Sequence, residues 1–224
     1  MKKSEKCTKI QDLLNHHFPD PAIPLDHRNP FTFLVAVMLS ASANDKKVNE
    51  VTPTLFDLAD TPEKMAALTI EQIKTIIRDV GLAGSKSKNV HRTAELLIEK
   101  HNSIVPKTFE ELEALPGVGH KTASVILSQV YNIPAFAVDT HIHRLAYRWG
   151  LSNGKNVVQT EKDLKRLFPS DSWNKLHLQI IYFGRAFCPA LRHNIEECPI
   201  CSWGGVKKRL AEEPKRRAPW QNKR

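Results

Sequence analysis

At 224 residues the chain can bury one good core or two small ones, and its hydrophobic fraction of 41% calls for neither disulfide scaffolding nor disorder. The longest apolar stretch, residues 31–43, is interrupted by Thr32 and Ser40 and falls far short of a bilayer span, so a buried helix is expected there and no membrane partner. The formal charge of +9 suggests a polyanionic partner, but eight Lys/Arg against Glu212 and Glu213 put +6 of it in residues 207–224. That segment reads either as a solvated, poorly ordered tail or as a polyanion-binding arm. The first residues carry charge but lead into Gln11, Asp12 and Asn15 rather than an apolar signal core, so a cytoplasmic location is expected.

No run alternates with strand period over a useful length, whereas apolar residues recur three and four apart along most of the chain. An all-α fold follows. Helices are predicted over about 4–17, after the cap-and-proline pair Asn29-Pro30, over about 45–58, after a second such pair at Thr61-Pro62, and over about 70–78. Ser85 is expected to open a helix carrying Val90, Ala94, Leu97 and Ile98, with Gly81 and Gly84 separating it from the one before. Thr108 and Glu111 form a capping-box pattern for a short helix ending near Leu115, and Ala123, Val125, Ile126 and Val130 mark the next. Three more are expected over about 140–149, 157–167 and 173–187.

The most informative segment is LPGVGHKTA at 115–123, followed by VDTH at 138–141. Pro116 lacks an N–H, and Gly117 and Gly119 admit backbone conformations that other residues avoid, so a tight turn must separate the two flanking helices. The unit is helix, hairpin, helix. It places an amine, Lys121, and a carboxylate, Asp139, at its two ends.

LPGVGHKTA together with VDTHIHR resembles the endonuclease III family of helix-hairpin-helix DNA glycosylases. Further along, residues 29–49 resemble the family's long buried helix, Val80-Gly81-Leu82 its lesion-side loop, and Phe183-Gly184-Arg185 followed by cysteines its metal loop. The resemblance spans roughly residues 5–203. It implies a two-lobed fold: a six-helix domain at 22–132 holding the hairpin, and a discontinuous lobe of 1–21 plus 133–224 holding the cysteine loop and basic tail. It also implies a monomer acting on double-stranded DNA with a damaged base or abasic site, nucleoid-associated in a bacterium.

Excising a base needs a nucleophile at C1′ and stabilisation of the positive charge that develops as the glycosidic bond breaks. By resemblance Lys121 is the nucleophile, and attack leads to a Schiff base that permits β-elimination. Family members that only remove the base lack this lysine. An ordinary lysine titrates near about 10.4 and is protonated at neutral pH. The site must therefore lower its pKa by desolvation or nearby positive charge, such as the positive ends of adjoining helices, and offer a proton acceptor. Asp139 supplies one and can stabilise the sugar cation. As a residue, Asp139 before THIHR is equally a good helix N-cap.

Gly117 and Gly119 would let backbone N–H groups approach a DNA phosphate, and a plain interhelical turn is the alternative. A base inside a duplex must be flipped out and its place filled. Leu82 is the wedge by resemblance; as a residue it could be an ordinary packed leucine. Where the family commonly has glutamine this chain has Ser42, too short to fill a base-sized gap, so Asn44 or a water is left to substitute. Asp45 matches a family carboxylate, or caps the helix that follows, and His141 of VDTHIHR completes the DNA-contacting set that the resemblance implies.

The family's four-cysteine pattern holds a 4Fe-4S cluster. This chain departs from it, with Cys188-x9-Cys198-x2-Cys201 and Lys207 where the fourth thiol would fall. Three readings stay open: a cluster with another fourth ligand, a zinc site completed by His193, or a metal-free remnant, with Cys7 as a further candidate ligand. None is a catalytic metal. The activity implied is that of a bifunctional glycosylase and AP lyase for oxidised pyrimidines; the alternatives are an AP lyase with weak glycosylase activity and a noncatalytic DNA-binding module.

Overall fold

The computed structural model describes residues 1–216; of the basic segment at 207–224, residues 217–224 lie outside the described residues. Among the described residues the chain is helical, without strands. None of these helices is long and apolar enough to cross a membrane. The chain forms two compact units: Ile23–Ala137, and Met1–Ala22 with Val138–Arg224.

The first of these units is built round α2 (Pro30–Ser40). Asn29 caps it by accepting from the Thr32 amide at 2.9 Å, and Pro30 supplies a preset first turn. Phe31 through Leu39 are all buried, so the helix is enclosed on every side. The apolar stretch does not continue as one helix to residue 43, nor to residue 49. It stops at Ser40, and after a turn α3 (Asp45–Leu58) begins, capped by Asn44 through the Lys46 amide at 3.0 Å. Ser42 in the break has φ +56, a left-handed conformation that no helix interior admits.

Four more helices complete this unit's framework: α4 (Pro62–Ala67), α5 (Ile70–Ile76), α6 (Ala83–His101) and α7 (Phe109–Glu113). Thr61, Thr69 and Thr108 each accept a backbone N–H three residues on. The sixth helix begins earlier than its serine suggests. Leu82, at φ +63, is its cap residue, and Ser85 lies in the first turn with its hydroxyl donating to the Leu82 carbonyl at 3.1 Å. Val90, Ala94 and Leu97 face the core, while Ile98 is 39% exposed. The unit closes with α8 (His120–Tyr131), which packs against α2 and α7.

The other unit joins α1 (Lys3–His17) to α9 (Thr140–Arg148), α10 (Val157–Leu167) and α11 (Trp173–Ala186). Cys7, Ile10 and Leu14 form the buried stripe of α1, which packs on α11. Buried Gln179 ties the two, its Nε2 donating to Asn15 Oδ1 at 3.0 Å and to the Phe18 carbonyl at 2.8 Å. Two short helices follow, α12 (Cys201–Gly204) and α13 (Lys207–Arg216). The start of the basic segment is thus helical and attached: Arg209 donates to the carbonyls of Tyr147 and Ser152 and lies over the Tyr147 ring at 4.6 Å.

Candidate active site and metal loop

Lys121 is the second residue of α8 and is exposed. The hairpin before it turns through Gly117 at φ +77, where a Cβ would come within 2.7 Å of Asn89 Nδ2. Val118 N–H closes the turn on the Leu115 carbonyl at 3.1 Å, and Thr93 from α6 donates to the Pro116 carbonyl at 3.2 Å. Gly119 differs from Gly117. Its φ of −97 is ordinary, and a Cβ there would meet nothing within 4 Å, so its value lies in the open space above the backbone. It caps α8 without a side chain, so no cap side chain covers the first-turn amides or the positive end of the helix dipole. His120, absent from the sequence expectations, staples the hairpin: Nδ1 meets Glu113 Oε1 at 2.7 Å and the ring stacks on Phe109 at 4.9 Å.

In the same unit the loops bearing Ser42 and Leu82 come together. A Cβ on Gly81 would lie 3.9 Å from the Ser42 carbonyl oxygen. Ser42 is exposed, and Leu82 is 68% exposed rather than packed. Two neighbouring non-glycine residues in the left-handed region, one of them an exposed leucine, form a strained, projecting pair of tips. Asn44 is occupied in capping α3, so the cap considered for Asp45 belongs to Asn44, and Asp45 is the first helical residue. Beneath them the buried Lys86, unnoticed in the sequence, reaches the carbonyl of Leu39 at the end of α2.

In the discontinuous unit, Asp139 caps α9, with Oδ1 accepting from the Ile142 amide at 2.8 Å. The carboxylate is half-buried. His141, two residues on, has Nδ1 3.3 Å from Arg144 Nη2, and Gly184 of α11 leaves room for its ring, since a Cβ there would stand 3.2 Å from Nδ1. His143 turns inward to Thr160 Oγ1 at 2.8 Å, and burial pushes its pKa down.

Cys188, Cys198 and Cys201 are all buried, and His193 joins them: one donor atom from each lies within 4.8 Å of the other three. Cys7 is buried in α1 and is not one of the four. Among the thiols, hydrogen bonding to Cys198 raises Cys188 to about 11, and Cys201 is also driven up, whereas donation from both holds Cys198 well below the usual thiol range. Three thiols and an imidazole converging in this way could hold a metal ion.

Residues 35–170 match the HhH-GPD superfamily of base excision DNA repair proteins. The chain is 40% identical to endonuclease III of Bacillus subtilis (strain 168) over 204 residues, covering 90% of this chain and 91% of the relative. It is also 40% identical to that of Escherichia coli (strain K12), covering 87% and 92%. The chain belongs to the endonuclease III family. Two solved endonuclease III structures share its fold at a TM-score of 0.88: a non-covalent DNA complex at 37% identity and a trapped covalent DNA intermediate at 38%, each covering 94% of this chain and 100% of that one. In this member of the endonuclease III family the hairpin is followed by Lys121, Asp139 caps α9, and Cys188, Cys198 and Cys201 share one loop with His193.

Proposed function

We propose that this chain is a bifunctional DNA glycosylase and AP lyase of base excision repair, removing oxidised pyrimidines from duplex DNA and cleaving 3′ to the abasic site. The observation that carries it is Lys121 itself, an exposed amine in the first turn of α8, directly behind an open glycine hairpin, in a chain of this family. Lys121 attacks C1′ as the glycosidic bond breaks and the base departs. Asp139 takes the amine proton and stabilises the cationic sugar. The resulting imine acidifies the C2′ hydrogen; its loss expels the 3′ phosphate, and water then releases the sugar fragment from the lysine.

The outward amides of α8 and the glycines Gly117 and Gly119 hold the DNA phosphate, with Asp45 and His141 as further DNA-contacting residues. Leu82 enters the stack where the base has left, and Ser42 lines the gap. The trapped covalent DNA intermediate of endonuclease III supports a covalent mechanism. Cys188, Cys198, Cys201 and His193 hold a structural metal that fixes their loop and takes part in no step. Such an enzyme works as a monomer where genomic DNA lies, in the cytoplasm or nucleoid.

Borohydride trapping of wild type and Lys121→Ala, on one duplex with an oxidised pyrimidine and one with a preformed abasic site, tests the assignment. Wild-type adducts on both, absent in the mutant, are expected. Trapping on the abasic duplex alone would leave an AP lyase, and no adduct on either would leave a DNA-binding module.

A further inference from the structure

The loop from Cys188 to Cys201 carries a donor set whose spacing distinguishes between metal centres. Cys188 Sγ and Cys201 Sγ stand 3.7 Å apart, and all four donor atoms fall within 4.8 Å of one another. Around a single tetrahedral zinc, with Zn–S near 2.3 Å and Zn–N near 2.0–2.1 Å, ligand atoms must lie roughly 3.5–3.8 Å from each other. A cubane cluster places each thiolate on a different iron, so its sulfurs must stand apart by the width of the iron–sulfide core. Two thiol sulfurs at 3.7 Å are already near van der Waals contact and leave no such space.

The surroundings suit three thiolates on one ion. The Cys201 amide donates to Cys198 Sγ at 3.4 Å, and the buried Arg148 donates through Nη1 to Cys188 Sγ at 3.0 Å and to the carbonyls of Cys188 and Pro189. Three thiolates on a divalent ion carry one net negative charge, which the adjacent guanidinium offsets. His193 Nε2 is buried and makes no hydrogen bond, although water or a polar neighbour would normally satisfy such an atom. Arg192, at φ +56, turns the chain immediately before it. Lys207, where the family's fourth cysteine would fall, opens α13 instead.

We propose that Cys188, His193, Cys198 and Cys201 form a mononuclear tetrahedral Cys3His zinc site in place of the family's iron–sulfur cluster. It rests on the reading of this loop as a metal centre and is independent of the glycosylase assignment. Full-length protein expressed with both iron and zinc available should carry about one zinc per chain, with neither iron nor acid-labile sulfide and no visible absorbance. Its cobalt-exchanged form should show the d–d bands of a tetrahedral thiolate site. His193→Ala should change that spectrum and weaken zinc retention against a chelator by more than the roughly 10–100-fold of an outer-shell change. His193→Cys, which keeps four ligands, should restore retention. Iron with matching sulfide in the isolated protein would overturn the zinc assignment alone. Absence of any bound metal would overturn the metal centre itself, and a wild-type cobalt spectrum in His193→Ala would remove the histidine from it.

Discussion

Lys86 Nζ donates to the backbone carbonyl of Leu39 across 2.8 Å, a buried bond joining residues 47 apart in sequence. The carbonyl is one of those at the end of α2 that no helical amide can reach, and an ammonium there also meets the negative end of the helix dipole. Desolvation pushes the Lys86 pKa down, so the bond is made at some electrostatic cost. It anchors the start of α6, just after Leu82, to the end of α2, from which the loop carrying Ser42 departs.

Lys86→Met keeps the length and apolar stem but removes the donor. It should lower stability by about 1.5–3 kcal/mol, the range for a hydrogen bond to a charged group. Excision of a paired, stacked lesion should fall roughly tenfold, while borohydride trapping on a preformed abasic site falls less, because flipping depends on the loops and the amine does not. Equal losses on the two duplexes would show that Lys86 only stabilises the fold.

Asp139 caps α9 and is also the proposed acidic partner, and two substitutions separate these roles. Asparagine caps a helix as well as aspartate, so Asp139→Asn should unfold within about 0.5 kcal/mol of wild type and yet release base far more slowly. Asp139→Ala should lose the cap too, costing about 0.5–2 kcal/mol. Normal single-turnover base release by Asp139→Asn would reduce the residue to a cap.

The two hairpin glycines should respond differently to alanine. At Gly117 the left-handed backbone and the 2.7 Å approach to Asn89 both oppose a Cβ, so Gly117→Ala should cost about 1–2 kcal/mol or more in stability. Gly119→Ala has room in the free protein and should melt normally, but its methyl would stand where a phosphate approaches. Its DNA affinity should therefore fall severalfold, and undiminished affinity would place the phosphate elsewhere.

His143 links stability to pH. Its folded pKa lies below the ordinary 6.5 because burial disfavours the cation. Below 6.5 the unfolded chain takes up the proton first, so this contribution is fully present above that pH and is lost as the pH falls toward the folded pKa. Wild type should lose more thermal stability between pH 7.5 and pH 5 than His143→Asn, in which no imidazole titrates. Identical losses would assign the acid sensitivity to other groups.

Much of this protein is local and therefore legible from the chain alone. Asn29, Thr61 and Thr108 announce their helices because a cap is satisfied within three residues, and LPGVGHKTA specifies its turn because Pro116 and Gly117 exclude the alternatives. The endonuclease III resemblance was carried by such short segments. Where the reading failed, a distant contact had outweighed local preference. Residues 31–43 look like one apolar helix, but the chain breaks at Ala41 so that Ser42 can meet Gly81; Ser85 has the chemistry of a cap, but the left-handed Leu82 takes that position. A lysine at 86 reads as a surface charge until α2 ends above it. In the metal loop the spacing of three cysteines admitted a cluster, a zinc ion or neither, because spacing along a chain does not determine distance in space. Only the folded loop, with Arg192 at φ +56 just before His193 and Arg148 donating to Cys188, brings the four donor atoms within 4.8 Å of one another.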